Sequence, residues 1–137
     1  MTTATAYGMS IALERPFDAT VEATRAALAA EGFGVLMEAD LRATFQKKLG
    51  VESAPYLILG ACSPPHAFEA LAVDADLGLL LPCNVIVRRD EAAARTHVAA
   101  IDPVVVLGVA ANPALLPVAQ EIRDRLQRVL AALEKAS

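Results

Sequence analysis

The first strand-like segment alternates between large apolar and small side chains, and this alternation limits what the chain can fold into. In residues 7–14 the apolar positions fall on every second residue, at Tyr7, Met9, Ile11 and Leu13. A period of two is typical of a β-strand with one face against a core. The positions between them are Gly8, Ser10, Ala12 and Glu14. The pattern predicts a sheet whose second face carries small residues and is covered by another element or another subunit.

Strand and helix patterns then take turns along the chain. Further strands are predicted at residues 33–39, 56–62 and 96–103, and helices at residues 18–31, 41–49, 65–74 and 113–135. Residues 77–89 read as one interrupted or two short apolar segments, with Pro82 between 77–81 and 83–89. Pro82 cannot donate a hydrogen bond to a central strand ladder, so it predicts a sheet edge or a bulge. Alternating strands favour antiparallel pairing, with the last two strands paired. The predicted fold class is α+β, a two-layer sandwich with helices on one face and a C-terminal amphipathic helix.

The helices carry recognisable start signals and apolar faces. Three side chains are predicted N-caps: Asp18, Asp40 and Ser63. The helix at residues 65–74 is expected to pack Phe68 and Leu71 against the core. In the last helix, apolar residues step by three or four from Leu115 to Leu133, which predicts one continuous apolar stripe.

Composition excludes several classes of protein. The 137 residues fit one domain, and 55% hydrophobic with 20% charged residues excludes intrinsic disorder. A net charge of −4 argues against nucleic-acid binding, and two cysteines are too few for a secreted disulfide framework. The first ten residues lack a signal-peptide pattern, and no apolar run approaches the ~20 residues of a membrane span. We expect a cytoplasmic, single-domain protein without a nucleic-acid or membrane partner.

Standard catalytic signatures are absent, so an enzyme is not the expected class. There is no nucleophile elbow and no phosphate-binding loop. Gly32 and Gly34 open a strand and lack the third glycine of a dinucleotide fingerprint. Asp74 and Asp76 read as a solvated turn, and His97 as a structural or solvated histidine. No catalytic residue is predicted.

The two cysteines form the more informative constellation. Cys62 ends a strand just before a helix start, where the helix dipole is expected to lower the pKa of a thiol. Cys83 begins the strand after Pro82. His66 lies in the first turn of the helix after Cys62, where its imidazole is expected to be neutral and able to ligate. The residues alone leave two alternatives open, a functional cysteine pair or two packing residues.

Five short motifs in combination carry a resemblance to a known family. They stand at residues 32–35, 48–50, 56–62, 62–65 and 80–85, as Gly-Phe-Gly-Val, Lys-Leu-Gly, Tyr-Leu-Ile-Leu-Gly-Ala-Cys, Cys-Ser-Pro-Pro and Leu-Leu-Pro-Cys-Asn-Val. Over about residues 7–104 the chain resembles the family catalogued as domain of unknown function 302. The resemblance implies a small α+β fold with an antiparallel sheet, homodimers, and no settled activity. It also makes family motif positions of Cys62, Pro64, Pro65, Pro82, Cys83 and Asn84. His66 departs from the aliphatic residue that members often carry.

Three functions compete. The first is a homodimeric binding module for a small ligand, a soft metal such as Cu(I), or haem. Its expected ligand-binding residues are Cys62, Cys83, Asn84 and Tyr56, and its expected metal ligands are Cys62, Cys83 and His66. The second is a thiol redox protein in which Cys62 attacks and Cys83 resolves. The third is a non-catalytic dimeric interaction protein that pairs through the small-residue sheet face or the Leu115–Leu133 stripe.

Overall fold

A computed structural model describes residues 1–136 of the chain. The strands are β1 Thr3–Ala4, β2 Gly8–Leu13, β3 Gly34–Asp40, β4 Tyr56–Cys62, β5 Cys83–Asp90 and β6 Arg95–Ile101. The helices are α1 Phe17–Ala30, α2 Leu41–Leu49, α3 Pro64–Val73, α4 Pro103–Gly108 and α5 Leu116–Ala136. Two 3-10 helices, Ala75–Leu80 and Pro113–Leu115, connect them.

All six strands form one antiparallel sheet. Their spatial order is β1-β2-β6-β5-β4-β3, and every neighbouring pair is antiparallel. The predicted pairing of the last two strands is confirmed, with Val87 opposite Val98. The fold is therefore α+β, as the alternation predicted, with helices packed on an open sheet.

One side of this sheet, here called the covered face, forms the core with the helices. Ile11, Leu59, Val85, Val87 and Val98 lie on it, and none is more than 2% exposed. Helix α5 supplies Leu126 and Leu130, both 0% exposed, and α1 supplies Leu28. The apolar stripe predicted from Leu115 to Leu133 is thus buried within the chain, since both of these end residues are 2% exposed.

The other side, here called the open face, consists of the residues that alternate with those of the core. It comprises Ser10, Ile58, Ile86, Arg88, His97 and Ala99, each half-buried. Helix α2 contacts β4 but buries none of its own side chains fully. The small-residue face predicted from residues 7–14 is present on β2, but charged and branched residues join it in the centre of the sheet.

The helix starts were predicted with mixed success. Asp40 caps α2 as predicted, since its Oδ1 accepts from the backbone N–H of Ala43 at 2.9 Å. Asp18 was a wrong choice for α1: Pro16 occupies the cap position, and no side chain caps it. Ser63 occupies the cap position of α3 but makes no capping hydrogen bond.

The prediction for Pro82 was wrong. Strand β5 is central, between β4 and β6, and begins one residue after the proline. Because Pro82 lies outside the ladder, its missing N–H removes no strand hydrogen bond. A cis peptide joins Leu81 to Pro82.

Helix α3 faces the core through a small residue rather than through its large ones. Ala70 is 1% exposed, whereas Phe68 is 80% and Leu71 is 39% exposed. The expectation that Phe68 and Leu71 pack against the core was therefore wrong. None of the helices in residues 1–136 combines the length and apolar composition that a membrane crossing requires.

Candidate functional site

A cavity of about 240 Å³ lies at the end of the sheet where β4 ends and β5 begins. Its lining comes from separate parts of the chain and is almost entirely apolar. The wall includes Phe33, Cys62, His66, Ala70, Pro82 and Cys83. Leu36 and Leu71 also line it and are 63% and 39% exposed, so the cavity opens to the surface on their side.

Both cysteines line this cavity, but they differ in burial and in the face of the sheet from which they reach it. Cys83 lies on the covered face and is 6% exposed, while Cys62 is half-buried at the end of β4. Cys83 pairs across the ladder with Ala61, so Cys62 is one position further along. Successive residues of a strand point to opposite faces. The two thiols are free and start from opposite sides of the sheet.

Burial controls the acidity of both thiols. It raises the pKa of Cys62 above the usual value. The pKa of Cys83 is raised to about 11, first by burial and then by the charge of Cys62. The expected lowering of the pKa of Cys62 by the start of α3 was wrong, since burial of the thiol raises this pKa.

Ser63 and His66 form a polar pair in the cavity wall. Ser63 Oγ and His66 Nδ1 share a hydrogen bond of 2.6 Å. This explains why the Ser63 hydroxyl does not cap α3, since it is committed to the ring. It also holds the imidazole in one orientation and leaves Nε2 as the ring nitrogen that could meet a ligand.

The three predicted metal ligands do not form a metal centre. Within residues 1–136, no group of three or more His, Cys, Asp or Glu side chains is arranged to hold an ion. Cys62, Cys83 and His66 therefore share a cavity wall without forming a three-ligand set.

Tyr56 and Asn84 lie apart from the cavity. Tyr56 begins β4 opposite Arg88, six residues before Cys62, which is about 20 Å along a strand. Asn84 follows Cys83 directly, but it is exposed and pairs with Gly60. Both line a recess on the open face instead. The expectation that they lie at the cysteine site fails for Tyr56 because of its distance along β4. Asn84 shares the face of Cys62 but points away from Cys83, so it does not line the cavity.

Sequence reasoning did not select the apolar wall. Phe33 and Ala70 are buried, and Leu107 and Ile122 come from α4 and α5. Local patterns mark such residues only as core. The one available signal was that Phe33, Pro82 and both cysteines fall in motifs of the family resemblance. Four of those five motifs contribute residues to this cavity, and residues 48–50 do not.

The comparisons with known proteins identify the family of the chain. The family model described as "Domain of unknown function DUF302" matches residues 9–133. The chain belongs to the DUF302 family. The match extends the resemblance seen over residues 7–104 through most of helix α5.

A solved DUF302 structure has the same fold. The crystal structure of an uncharacterised conserved DUF302 protein from Bacillus stearothermophilus is 28% identical in sequence, with a TM-score of 0.83. The alignment covers 91% of this chain and 96% of that one. No curated protein matches the chain.

Proposed function

We propose that this DUF302 chain is a binding module for a small, mainly apolar molecule seated in the cavity beside Cys62 and Cys83. The observation that carries the proposal is the cavity itself. An apolar hollow in a closely packed domain costs stability, because the lining atoms lose packing partners on one side. A bound molecule offsets that loss.

The volume sets the size of the molecule. An apolar cavity of about 150 Å³ is enough for benzene, and this cavity has about 240 Å³. Pockets for drug-sized ligands are larger, at roughly 300–1,000 Å³. The cavity therefore suits a ligand of one or two rings, or a short branched chain. A haem does not fit without rearrangement of the wall.

The polar groups of the wall set the orientation of the molecule. His66, held by Ser63, offers one ring nitrogen, and the thiols of Cys62 and Cys83 offer weak polar contacts. A few placed polar groups in an apolar wall are typical of small-molecule sites. We infer a ligand with one hydrogen-bonding group at the His66 end.

Metal binding and redox chemistry are less well supported. A soft metal would find two thiols and one imidazole in the wall but no preformed three-ligand set in residues 1–136. A redox role requires an attacking thiolate, and the raised pKa values of Cys62 and Cys83 keep both thiols protonated near neutral pH.

A titration with neutral indole tests the binding module. We expect saturable NMR shifts at the amides of Ala67, Ala70 and Cys83, which line the cavity. Ala67→Leu places a larger side chain in the cavity and should weaken binding by at least about tenfold, or ~1.4 kcal/mol. Ala72→Leu is the matched control, since Ala72 is exposed on the same helix. Equal binding by the two variants overturns the proposal.

Native mass spectrometry of freshly purified protein extends the test to the natural ligand. Extra mass that disappears in the Cys62→Ser, Cys83→Ser double variant would support a ligand beside the cysteines and give its weight. Extra mass that persists in both the double variant and Ala67→Leu would place the ligand elsewhere and contradict the proposal.

The second candidate function is a non-catalytic homodimeric interaction protein, favoured by the open face. The α5 stripe cannot pair two copies because it is buried within the chain. The half-buried Ile58 and Ile86 leave the open face as the surface for a second copy. Analytical ultracentrifugation should then show a dimer that Ile86→Lys dissociates, while Val105→Lys leaves it intact, because the Val105 side chain is exposed on α4. A monomer at micromolar concentration would contradict this candidate.

A further inference from the structure

A recess of about 430 Å³ lies on the open face, away from the cysteine cavity. Its lining mixes polar and apolar groups from four adjacent strands. Its polar groups include Tyr56, Asn84, Arg88 and His97, and its apolar floor includes Ile86 and Ala99. Nothing in the binding module proposed above uses these residues.

Arg88 is the charged group that stands out in this recess. It is half-buried in the middle of the sheet, yet no acidic side chain within residues 1–136 approaches it to salt-bridge distance. A half-buried guanidinium that lacks a carboxylate partner favours an anion from solution, because its five N–H donors match a carboxylate in two parallel bonds.

The neighbouring titratable groups lie close to partners of their own. His97 Nε2 lies 3.7 Å from Asp90 Oδ2, and Arg95 lies 3.9 Å from Glu14. Neither carboxylate lies within salt-bridge distance of Arg88, although the charge of Arg88 helps to lower the pKa of Asp90. The guanidinium of Arg88, at one end of the recess, thus has no carboxylate of the described residues in direct contact with it.

Two neighbours of Arg88 add hydrogen-bonding groups. Tyr56 is directly opposite Arg88 on β4, and His97 is directly opposite it on β6. Residues opposite each other in an antiparallel ladder have Cβ atoms about 4.5–5.5 Å apart. A row of hydroxyl, guanidinium and imidazole thus crosses three strands at one level of the sheet.

The floor beside this row is apolar. Ile86 lies two residues from Arg88 on the same face, and Ala99 is directly opposite Ile86. A flat hydrocarbon body extending from Arg88 along the strands would rest on these two side chains. Asn84 lies two residues beyond Ile86 and offers its amide at the far end.

We propose that this recess is a second binding site, for a small organic carboxylate with a flat apolar body. The carboxylate sits against Arg88 between Tyr56 and His97, and the body lies on Ile86 and Ala99. The site differs in chemistry from the cysteine cavity, whose wall contains no arginine or lysine.

The acid–base behaviour of the neighbours agrees with this placement. Burial and then the charge of Arg88 lower the pKa of His97, so its imidazole is neutral near pH 7. The pKa of Asp90 is lowered first by the backbone N–H of Ala93, so Asp90 stays ionised beside His97. Arg95 also faces His97 and lowers the pKa of the imidazole. At neutral pH the positive charge that attracts the anion is therefore that of Arg88 and not of His97.

Benzoate is the probe for the test. In an NMR titration of the full chain, we expect saturable shifts at the amides of residues 86–88 and 97–99. Benzyl alcohol has the same ring without the charge and should leave these amides unshifted at the same concentrations. Acetate has the charge without the ring and should bind at least about fivefold more weakly, ~1 kcal/mol.

Matched arginine variants identify the charged partner. Arg88→Gln should weaken benzoate binding by at least about tenfold, whereas Arg95→Gln, on the same face but exposed and paired to Glu14, should change it less than about twofold. Arg88→Lys keeps the charge without the fork and should give an intermediate loss if Arg88→Gln does not fold. Equal binding by wild type and both Arg88 variants overturns the proposal. Absence of shifts at residues 86–88 and 97–99, including absence because a second copy covers the recess, overturns it as well.

Discussion

The two faces of one sheet show how this chain divides its residues between folding and binding. On the covered face, Leu59 and Val85 are opposite each other and both 0% exposed. One residue further along β5, Ile86 points to the open face and is half-buried among Arg88 and His97. The same strands thus present a closely packed surface to the helices and a mixed, accessible surface on the other side. Polar groups collect on the face that the helices do not need.

The largest difference between the faces should appear in stability. Leu59→Ala removes a fully buried side chain and should lower the free energy of unfolding by about 2–5 kcal/mol. Ile86→Ala removes a similar volume from the open face and should cost about 1 kcal/mol or less, since its side chain keeps water contact. Urea denaturation followed by circular dichroism measures both.

The same pair of variants can also break the comparison. If Ile86→Ala costs as much as Leu59→Ala, the open face is packed in solution. The unfolding midpoint should then rise with protein concentration, because unfolding would include dissociation of a second copy.

The next effect concerns the two thiols. A pKa of about 11 for Cys83 leaves roughly one part in a thousand as thiolate at pH 8. We expect Cys83 to react with iodoacetamide at least about a hundredfold more slowly than a cysteine in unfolded chain. Cys62, half-buried with a less strongly raised pKa, should react at an intermediate rate.

Mass spectrometry of timed samples, with proteolytic mapping of the labelled peptides, assigns the two rates. Fast labelling of Cys62, at or above the rate of the unfolded control, would contradict the raised pKa and revive the redox hypothesis. The Cys83→Ser variant serves as the control, since only the Cys62 peptide can then be labelled.

A smaller effect on stability is expected at Gly60, where neighbouring side chains cover the open face. Gly60 lies on that face but is buried, and a Cβ atom there would come within 2.8 Å of Met37 Cγ and of Pro82 Cγ. Gly60→Ala should therefore cost about 1–3 kcal/mol through overpacking. Gly78→Ala is the control, since a Cβ atom at Gly78 would meet nothing within 4 Å. Thermal unfolding curves that coincide for the two variants would show that Met37 and Pro82 give way without cost.

The fold could be read from the sequence to the extent that it depends on local pattern. The alternation in residues 7–14, the pairing of the last two strands and the Asp40 cap were all predicted, because each is decided by a few neighbouring residues. Pro82 and Phe68 were misjudged for a tertiary reason. Whether a proline enters a ladder, or a phenylalanine meets a core, depends on elements far away in sequence.

The candidate site was predictable in part for the same reason. Cys62, Cys83 and His66 each lie at the end of a strand or the start of a helix, and the structure brings all three to one cavity. Tyr56 and Asn84 were grouped with them because their motifs are adjacent in sequence. Only the strand register shows that these two residues point to the face opposite Cys83, since a shift of one residue changes the face.

The smallest predicted effect is a pH dependence of stability that arises from His97 on the open face. Burial, and next the charge of Arg88, lower the pKa of His97 below its usual 6.5 in the folded chain. The unfolded chain therefore binds a proton at His97 more readily than the folded one as the pH falls below about 6.5, and this proton uptake favours unfolding. The His97 contribution to stability is complete above that pH and is lost as the pH falls through the folded pKa. His97→Gln should remove this part of the decline between about pH 7 and pH 5. Arg88→Gln should reduce it, because one cause of the lowered pKa is gone. Urea midpoints measured at half-unit pH steps test both variants, and a decline unchanged in His97→Gln would show that the destabilising protonation occurs at another group.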